Sequence, residues 1–183
     1  MKYLFFKLRK CRYCDEPITE KNKPRTKVEA LSDICTNKEC SELAKRTCPK
    51  MLPCRHPCGG VNGESECLPC LREPCCQEND QLNGQNGDDY CNICFIEALN
   101  AGPCVRSTCG HIFHEKCLAK RYEIKWLTPR ILFNFCLCPL CKKWVYLSEE
   151  NPLTPAIKAN LDLYSKIQTM AFDRLKFEEC LKD

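Results

Sequence analysis

The sequence predicts a small α+β protein that bound zinc ions stabilise in place of a large hydrophobic core. The chain has 183 residues and 20 cysteines, and its remaining apolar residues are too sparse to stabilise a fold of this size unaided. The cysteines occur in close pairs, and two of the three histidines lie inside a cysteine run. The length suits one or two small domains.

The cysteine spacing favours metal over disulfides. Two thiolates in a C-x-x-C pair can hold one zinc ion at about 2.3 Å each. Four such pairs are present: Cys11/Cys14, Cys67/Cys70, Cys91/Cys94 and Cys138/Cys141. The apolar part of Met1–Lys10 is shorter than the roughly 7–15 residues of a secretory signal core, and no run reaches the ~18 apolar residues of a membrane span. We therefore expect Zn²⁺ as cofactor, a reducing cytoplasmic location and no membrane partner.

The formal net charge of +4 overstates the basic character of the folded protein. If five zinc ions are bound by cysteine thiolates, the net charge falls to about −3, because metal-bound cysteines are deprotonated. The composition is therefore weak evidence for nucleic-acid binding, and no nucleic-acid partner is expected.

The chain divides into four predicted segments. They are a cysteine-rich zinc-finger segment at 1–76, a polar, acidic and flexible linker at 77–89, a second cysteine-rich domain at 90–150, and a C-terminal helix at 151–183. Thr154-Pro155 marks the helix start, and apolar residues then recur every three or four positions to about Glu179. We expect this amphipathic helix to pack on the zinc domain, with a dedicated partner site as the alternative. Both chain ends suggest a fragment of a larger protein.

The second cysteine-rich domain contains eight potential ligands, enough for two tetrahedral zinc ions. In order they are Cys91, Cys94, Cys109, His111, His114, Cys117, Cys138 and Cys141. This order resembles the RING family, in its variant with two central histidines. The resemblance implies a ββα cross-brace, with Cys91, Cys94, His114 and Cys117 on one zinc and Cys109, His111, Cys138 and Cys141 on the other. Cys136 remains an alternative to Cys138.

The RING resemblance also implies a shallow apolar groove for a ubiquitin-conjugating enzyme (E2). Its expected contacts are Ile93, Pro139, and Trp126 near the end of a predicted helix at Leu118–Leu127. Exposed apolar residues usually mark binding sites, but Ile93 and Trp126 could instead fill the small core. In many RINGs a basic residue at the position of Lys142 holds E2 and ubiquitin in a reactive pose, which is catalysis by positioning. Lysine lacks the arginine fork, so a solvated surface lysine is the alternative.

The first segment contains eleven cysteines and His56, enough for three further sites. Cys11, Cys14, Cys35 and Cys40 form the most natural set, a ribbon-like or finger-like zinc site. The stretch CPKMLPCRHPCGG resembles the C-x-H-x-C core of NFX-type zinc fingers. Further zinc ligands are expected among Cys48, Cys54, His56, Cys58, Cys67, Cys70 and Cys75. Their pairing stays open, and the adjacent Cys75 and Cys76 are not expected to bind the same ion.

Several stretches resemble the region around the RING of the PHR (Pam/Highwire) family, giant ubiquitin ligases of neurons. They include CLPCL, CNICFIEAL, CGHIFHEKC and WLTPRILF, and the resemblance runs from about Cys35 to the end. It implies a RING-type E3 ubiquitin transferase whose partners are an E2, ubiquitin and a protein substrate, located in neuronal projections. Members relay ubiquitin through cysteines of a separate domain. This sequence ends at Asp183 before such a domain, so no relay or other catalytic residue is assigned, and Cys180 is interpreted as incidental.

Two other function classes remain open. A zinc-dependent nucleic-acid-binding protein is suggested by the NFX-type spacing and the basic stretch KNKPRTK at 21–27, although no helix shows the basic stripe that groove binding requires. Salt-dependent DNA binding would support it. A non-catalytic protein-interaction scaffold would keep its partners after E2 binding is lost.

Overall fold

The computed structural model describes residues 9–77, 79–126 and 129–178. Within these residues the chain forms helices and a two-stranded sheet, joined by turns and short 3₁₀ helices. The regular elements are α1 (Lys38–Arg46), β1 (Cys104–Arg106), β2 (Ile112–His114), α2 (Glu115–Ile124) and α3 (Thr154–Phe177). The predicted small α+β architecture is therefore present, and most of the chain between the elements is irregular.

The hairpin β1–β2 lies at the centre of the core. The strands are antiparallel, with Val105 opposite Phe113, and both side chains are fully buried. The connecting loop contains Gly110 at φ +86°, where an added Cβ would lie 2.5 Å from the side-chain amide nitrogen of Asn83. Only glycine suits this position, because the backbone is left-handed and a neighbouring side chain approaches closely. The hairpin thus presents ligand residues in its loop and at the end of β2.

Helix α2 begins and ends earlier than the sequence predicted. It starts at Glu115, directly after β2, and ends at Ile124, because Lys125 adopts φ +56°. The predicted range Leu118–Leu127 is therefore wrong at its start, and Leu127 lies outside the described residues. Trp126 consequently lies beyond the helix. A negative side chain such as Glu115 is favoured in a first helical turn, where backbone N–H groups point outward.

The polar composition of 77–89 predicted a flexible linker, but residues 79–89 pack on the central hairpin. Leu82 is fully buried. The side chain of Gln85 accepts from the backbone N–H of Ile112 at 2.8 Å and donates to its carbonyl at 3.3 Å. Gly87 N–H donates to the carbonyl of Leu71 at 2.8 Å. Polar side chains can thus bond backbone and order a segment without an apolar pattern. The domain boundaries themselves stay a prediction.

Residues of both cysteine-rich segments are buried in one shared core, which begins at Cys48, and Cys11, Ile34, Cys35 and Cys40 form a separate small cluster. Cys104 N–H donates to the carbonyl of Gly59 at 2.9 Å. The guanidinium of Arg46 in α1 pairs with the carboxylate of Glu115 in α2, whose side chain is only 7% exposed. A buried carboxylate needs such a partner, because an unpaired charge in the interior is costly. The first cysteine-rich segment is therefore part of the scaffold that positions α2.

Helix α3 packs through its first half, as its apolar period predicted. Ile157 is buried, and the ring of Tyr164 contacts Phe133 and Trp144 at centroid distances of 5.1 and 4.8 Å. The second half extends beyond the core, and Phe177 is 88% exposed. Among the described helices, none combines the length and the apolar character that crossing a membrane requires.

Candidate metal centres and apolar groove

Five groups of cysteine and histidine side chains bring their donor atoms within 4.8 Å of one another. They are Cys11/Cys14/Cys35/Cys40, Cys54/His56/Cys70/Cys75, Cys48/Cys58/Cys67, Cys91/Cys94/His114/Cys117 and Cys109/His111/Cys138/Cys141. Every predicted ligand lies in one of them. A group of four thiolate or imidazole donors is the usual ligand set of a structural zinc ion, which prefers four soft or borderline donors in a tetrahedron. Each group could hold a metal ion.

The first group has the dimensions of a tetrahedral metal site. Four sulfurs placed about 2.3 Å from a central zinc ion are about 3.8 Å apart. The Sγ atoms of Cys11 and Cys40 are 3.8 Å apart, and those of Cys14 and Cys35 are 3.7 Å apart. The residues therefore fit zinc.

The two central groups alternate along the chain. The first group contains Cys91, Cys94, His114 and Cys117. The second contains Cys109 and His111, which lie between Cys94 and His114 in the sequence, together with Cys138 and Cys141. His114 Nδ1 lies 3.9 Å from Cys94 Sγ and 3.7 Å from Cys117 Sγ. His111 Nδ1 lies 3.5 Å from Cys109 Sγ. This alternating arrangement is the one that the family resemblance implied, and each histidine faces a different group.

His114 is held in the tautomer that a metal ligand needs. Its ring is fully buried, and Nε2–H donates to the carbonyl of Ala98 at 2.8 Å. This bond leaves the Nδ1 lone pair facing the cysteines, as is usual for metal-binding histidines. Hydrogen bonding from Cys117, with a smaller contribution from His114, outweighs burial and lowers the pKa of Cys91 to about 3. The same hydrogen bond raises the pKa of Cys117, so the pair shares one thiolate, at Cys91.

The two remaining N-terminal groups also alternate, a pairing that the sequence left open. His56 Nδ1 lies 3.5 and 3.6 Å from the Sγ atoms of Cys70 and Cys75. Cys67 belongs to the other group although it shares a C-x-x-C pair with Cys70. That other group has three cysteines, and within the part of the chain that the structure describes no fourth cysteine, histidine or carboxylate joins it. An ion held by these three thiolates would take its fourth ligand from water or another donor, as in zinc sites with three protein ligands.

Three described cysteines belong to none of these groups and are buried: Cys76, Cys104 and Cys136. Burial raises the pKa of Cys104 well above its usual value and raises that of Cys136 to about 11. Both therefore remain thiols that fill the core. The alternative of Cys136 as ligand is not the arrangement observed, because Cys138 lies with His111. Cys180 lies outside the described residues.

A repeated turn forms three of the ligand loops. The residue after the second cysteine has a left-handed backbone at Asp15 (φ 57°), Phe95 (φ 55°) and Lys142 (φ 60°). In each case its N–H donates to the carbonyl of the first cysteine, at 3.0, 2.9 and 3.0 Å. The turn brings both thiols to the same side of the loop. Leu71, which follows Cys70, is not among the described residues with positive φ.

A groove of about 800 Å³ lies between the loop at Cys91–Cys94 and helix α2, and all four predicted contact residues line it: Ile93, Trp126, Pro139 and Lys142. Lys142 is exposed, and its ammonium donates to the carbonyl of Pro139 at 2.8 Å. The ring of Trp126 also packs edge-on against Phe135 at 6.1 Å. Trp126 therefore serves the core as well as the groove.

Sequence reasoning missed the most exposed apolar residues of this groove. Phe95 and Ile96 are 70% and 76% exposed, and Ile124 and Leu132 are also exposed and line the groove. Phe95 and Ile96 directly follow Cys94 in CNICFIEAL. Two large apolar residues immediately after a ligand pair, where the chain must turn, were the signal that could have identified them.

Replacing Phe95 by glycine is expected to stabilise the protein while weakening any docking at the groove. A left-handed conformation costs a bulky residue about 1–2 kcal/mol, glycine adopts it freely, and Phe95 is mostly exposed, so little packing is lost. We expect a thermal midpoint a few degrees higher (about 2–4 °C per kcal/mol for a chain of this size) at unchanged zinc content. Phe95→Ala, which keeps the strain, is the control. An equal midpoint for both variants would contradict this account.

Comparison with known proteins identifies relatives of one kind, although no protein family model matches the chain. The chain is 39% identical over 168 residues to the E3 ubiquitin-protein ligase MYCBP2 of Danio rerio, an alignment that covers 92% of this chain. It is 38% identical over 162 residues to the E3 ubiquitin-protein ligase highwire of Drosophila melanogaster, covering 84% of this chain. The chain spans about 3% of the length of each of these curated relatives.

Proposed function

Because the chain is homologous to a segment of the PHR (Pam/Highwire) family of E3 ubiquitin ligases, we propose that it is a RING-type E3 module. It binds zinc, recruits an E2 that carries ubiquitin, and promotes transfer of that ubiquitin towards a protein substrate. We further propose a cytoplasmic location, since free thiols in this number require a reducing compartment. The neuronal location is proposed from the family alone.

The observation that carries the proposal is the apolar groove beside two alternating metal groups. A RING cross-brace places its E2 groove between the first ligand loop and the helix that follows the central ligands, and these are the walls of the groove here. A large contiguous patch of exposed apolar side chains is unusual on the surface of a monomer unless it is a binding site. Zinc, when bound, fixes the ligand loops that form one wall. The alternating ligand order supports the cross-brace.

The described residues that line the groove offer apolar contacts and include no serine, threonine or cysteine outside a metal group. The two cysteines of the groove, Cys94 and Cys117, lie in a metal group. The chain would therefore accelerate transfer by holding E2 and ubiquitin in a reactive arrangement, which can supply a large part of a rate enhancement. Ile93 and Pro139 provide apolar contact. Lys142, whose backbone conformation and bond to Pro139 place its ammonium at the groove margin, is the proposed hydrogen-bond donor to the conjugate.

Replacing Ile93 by alanine is expected to abolish E2 binding and stimulated ubiquitin discharge. Ile93 lines the groove and is only partly buried, so truncation removes a partner contact at modest cost to the core. A buried interface anchor of this size contributes about 1–3 kcal/mol, roughly a 5- to 150-fold change in Kd. The measurement is loss of the E2–ubiquitin thioester with a free nucleophile, together with titration of the E2.

The chain offers a matched control in Leu140. Leu140 occupies the same position in C-P-L-C that Ile93 occupies in C-N-I-C, is 43% exposed, and does not line the groove. Leu140→Ala should therefore bind and discharge like the parent. Binding without discharge would support recruitment but not positioning by Lys142. Absence of binding across a broad E2 panel, with zinc content intact, would overturn the proposal.

A further inference from the structure

The margin of the apolar groove carries charge of one sign. Five basic residues line it and no aspartate or glutamate does, among the residues that the structure describes. The basic residues are Lys120, Arg121, Lys125, Arg130 and Lys142. The whole chain is nearly balanced, with 28 basic and 24 acidic residues, so this segregation is a property of the groove.

The basic side chains are positioned where a partner bound in the groove would meet their positive charge. Lys120 is exposed on α2. Lys125, at the end of α2, holds its ammonium 5.9 Å from the centroid of the Trp126 ring. Arg121 is fixed by donating to the carbonyl of Asn134 at 2.7 Å. Lys142 is fixed on the opposite wall by its bond to Pro139. Across residues 9–77, 79–126 and 129–178, no ion pair joins any of these four to a carboxylate.

We propose that the groove selects a partner whose apolar docking loops are flanked by acidic side chains. The inference rests on the proposed function, and the partner is then an E2 with carboxylates beside its docking loops. Complementary charge at a margin mainly raises the association rate and rejects wrong partners, because like charges facing each other at an interface are costly. An E2 with basic residues at the same positions is repelled. Apolar contact would thus provide affinity, and the basic margin would choose among E2s.

Charge reversal at the margin tests this inference. We expect Lys120→Glu to weaken binding of an acidic-flanked E2 by roughly fivefold and Lys120→Glu with Lys142→Glu by roughly twentyfold, mostly through the association rate. The same variants should bind a basic-flanked E2 more tightly than the parent does. Raising the salt from about 0.05 to about 0.5 M should weaken the parent complex and leave the double variant little changed. Lys166→Glu, exposed on α3 away from the groove, is the control and should change nothing.

The outcomes separate the two proposals. If Ile93→Ala abolishes binding but charge reversal leaves every Kd unchanged, the E2 function stands and the selection by charge is wrong. Reciprocal rescue, in which an acidic-to-lysine change on the E2 restores binding to the Lys120→Glu variant, would support it directly. If no E2 binds the parent, both proposals fail. If a single-stranded oligonucleotide binds the groove and the reversal removes that binding while no E2 binds, the groove recognises nucleic acid instead.

Discussion

Cys138→Ser is expected to unfold the central segment, whereas Cys136→Ala two residues earlier should leave the fold and the metal content intact. Cys138 Sγ lies 3.5 Å from His111 Nδ1 in one metal group, and a serine hydroxyl is a poor replacement for a thiolate on zinc. A structural zinc site contributes on the order of 10 kcal/mol of apparent folding free energy. That is comparable with the whole stability of a typical domain, about 5–15 kcal/mol.

The two variants are a matched pair because both cysteines are fully buried and lie in the same short stretch. Cys136→Ala should cost only the packing of one sulfur, about 1–2 kcal/mol. Zinc content by native mass spectrometry and thermal unfolding by circular dichroism are the measurements. Because the groups alternate, the loss at Cys138 should also reduce zinc retention at the group of Cys91. If Cys138→Ser keeps every metal and Cys136→Ala loses one, the ligand assignment is reversed.

The sequence predicted which cysteines and histidines lie together better than it predicted what surrounds them. Ligand residues are recognisable because their chemistry is rare and their spacing is short, and the set at Cys11, Cys14, Cys35 and Cys40 lies together as expected. The central alternation followed from the family resemblance rather than from spacing. Side-chain exposure was not predictable in the same way, because Phe95 and Ile96 look like core residues in the hydrophobic pattern of the sequence. Only the left-handed turn after Cys94 shows that they face away from the core.

The segment at 77–89 shows why composition alone was insufficient there. Its many polar residues predicted a flexible linker, but Leu82 is buried in the core. The side chains of Gln81, Asn83 and Gln85 hydrogen-bond residues of the hairpin. The side chain of Gln85 bonds both backbone groups of Ile112, which a sequence pattern cannot reveal because the partner is 27 residues away. Long-range polar pairing of this kind leaves no period in the sequence.

Sequence spacing also failed to show that Cys67 and Cys70 belong to different metal groups, and this assignment gives the second strong prediction. The pair has the C-x-x-C spacing of the other three, but the structure assigns its members to different metal groups. We expect the double variant Cys67→Ser/Cys70→Ser to lose two metal ions. The double variant Cys70→Ser/Cys75→Ser, in which both residues belong to one group, should lose a single ion. Counting bound zinc by native mass spectrometry distinguishes the two outcomes.

A difference in backbone conformation after the second cysteine explains why Cys67 and Cys70 belong to different groups. In the other three pairs a left-handed residue follows the second cysteine and brings both thiols to one side. Leu71 lacks that conformation, so the thiols of Cys67 and Cys70 are free to face different groups. Cys11→Ser/Cys14→Ser is the control for a pair that shares one ion and should lose one. If Cys67→Ser/Cys70→Ser also loses one ion, spacing alone determines the pairing and the alternation of the N-terminal groups is wrong. If it loses two, both halves of the protein contain a pair of alternating sites, in which each metal ion closes a loop that contains a ligand of the other.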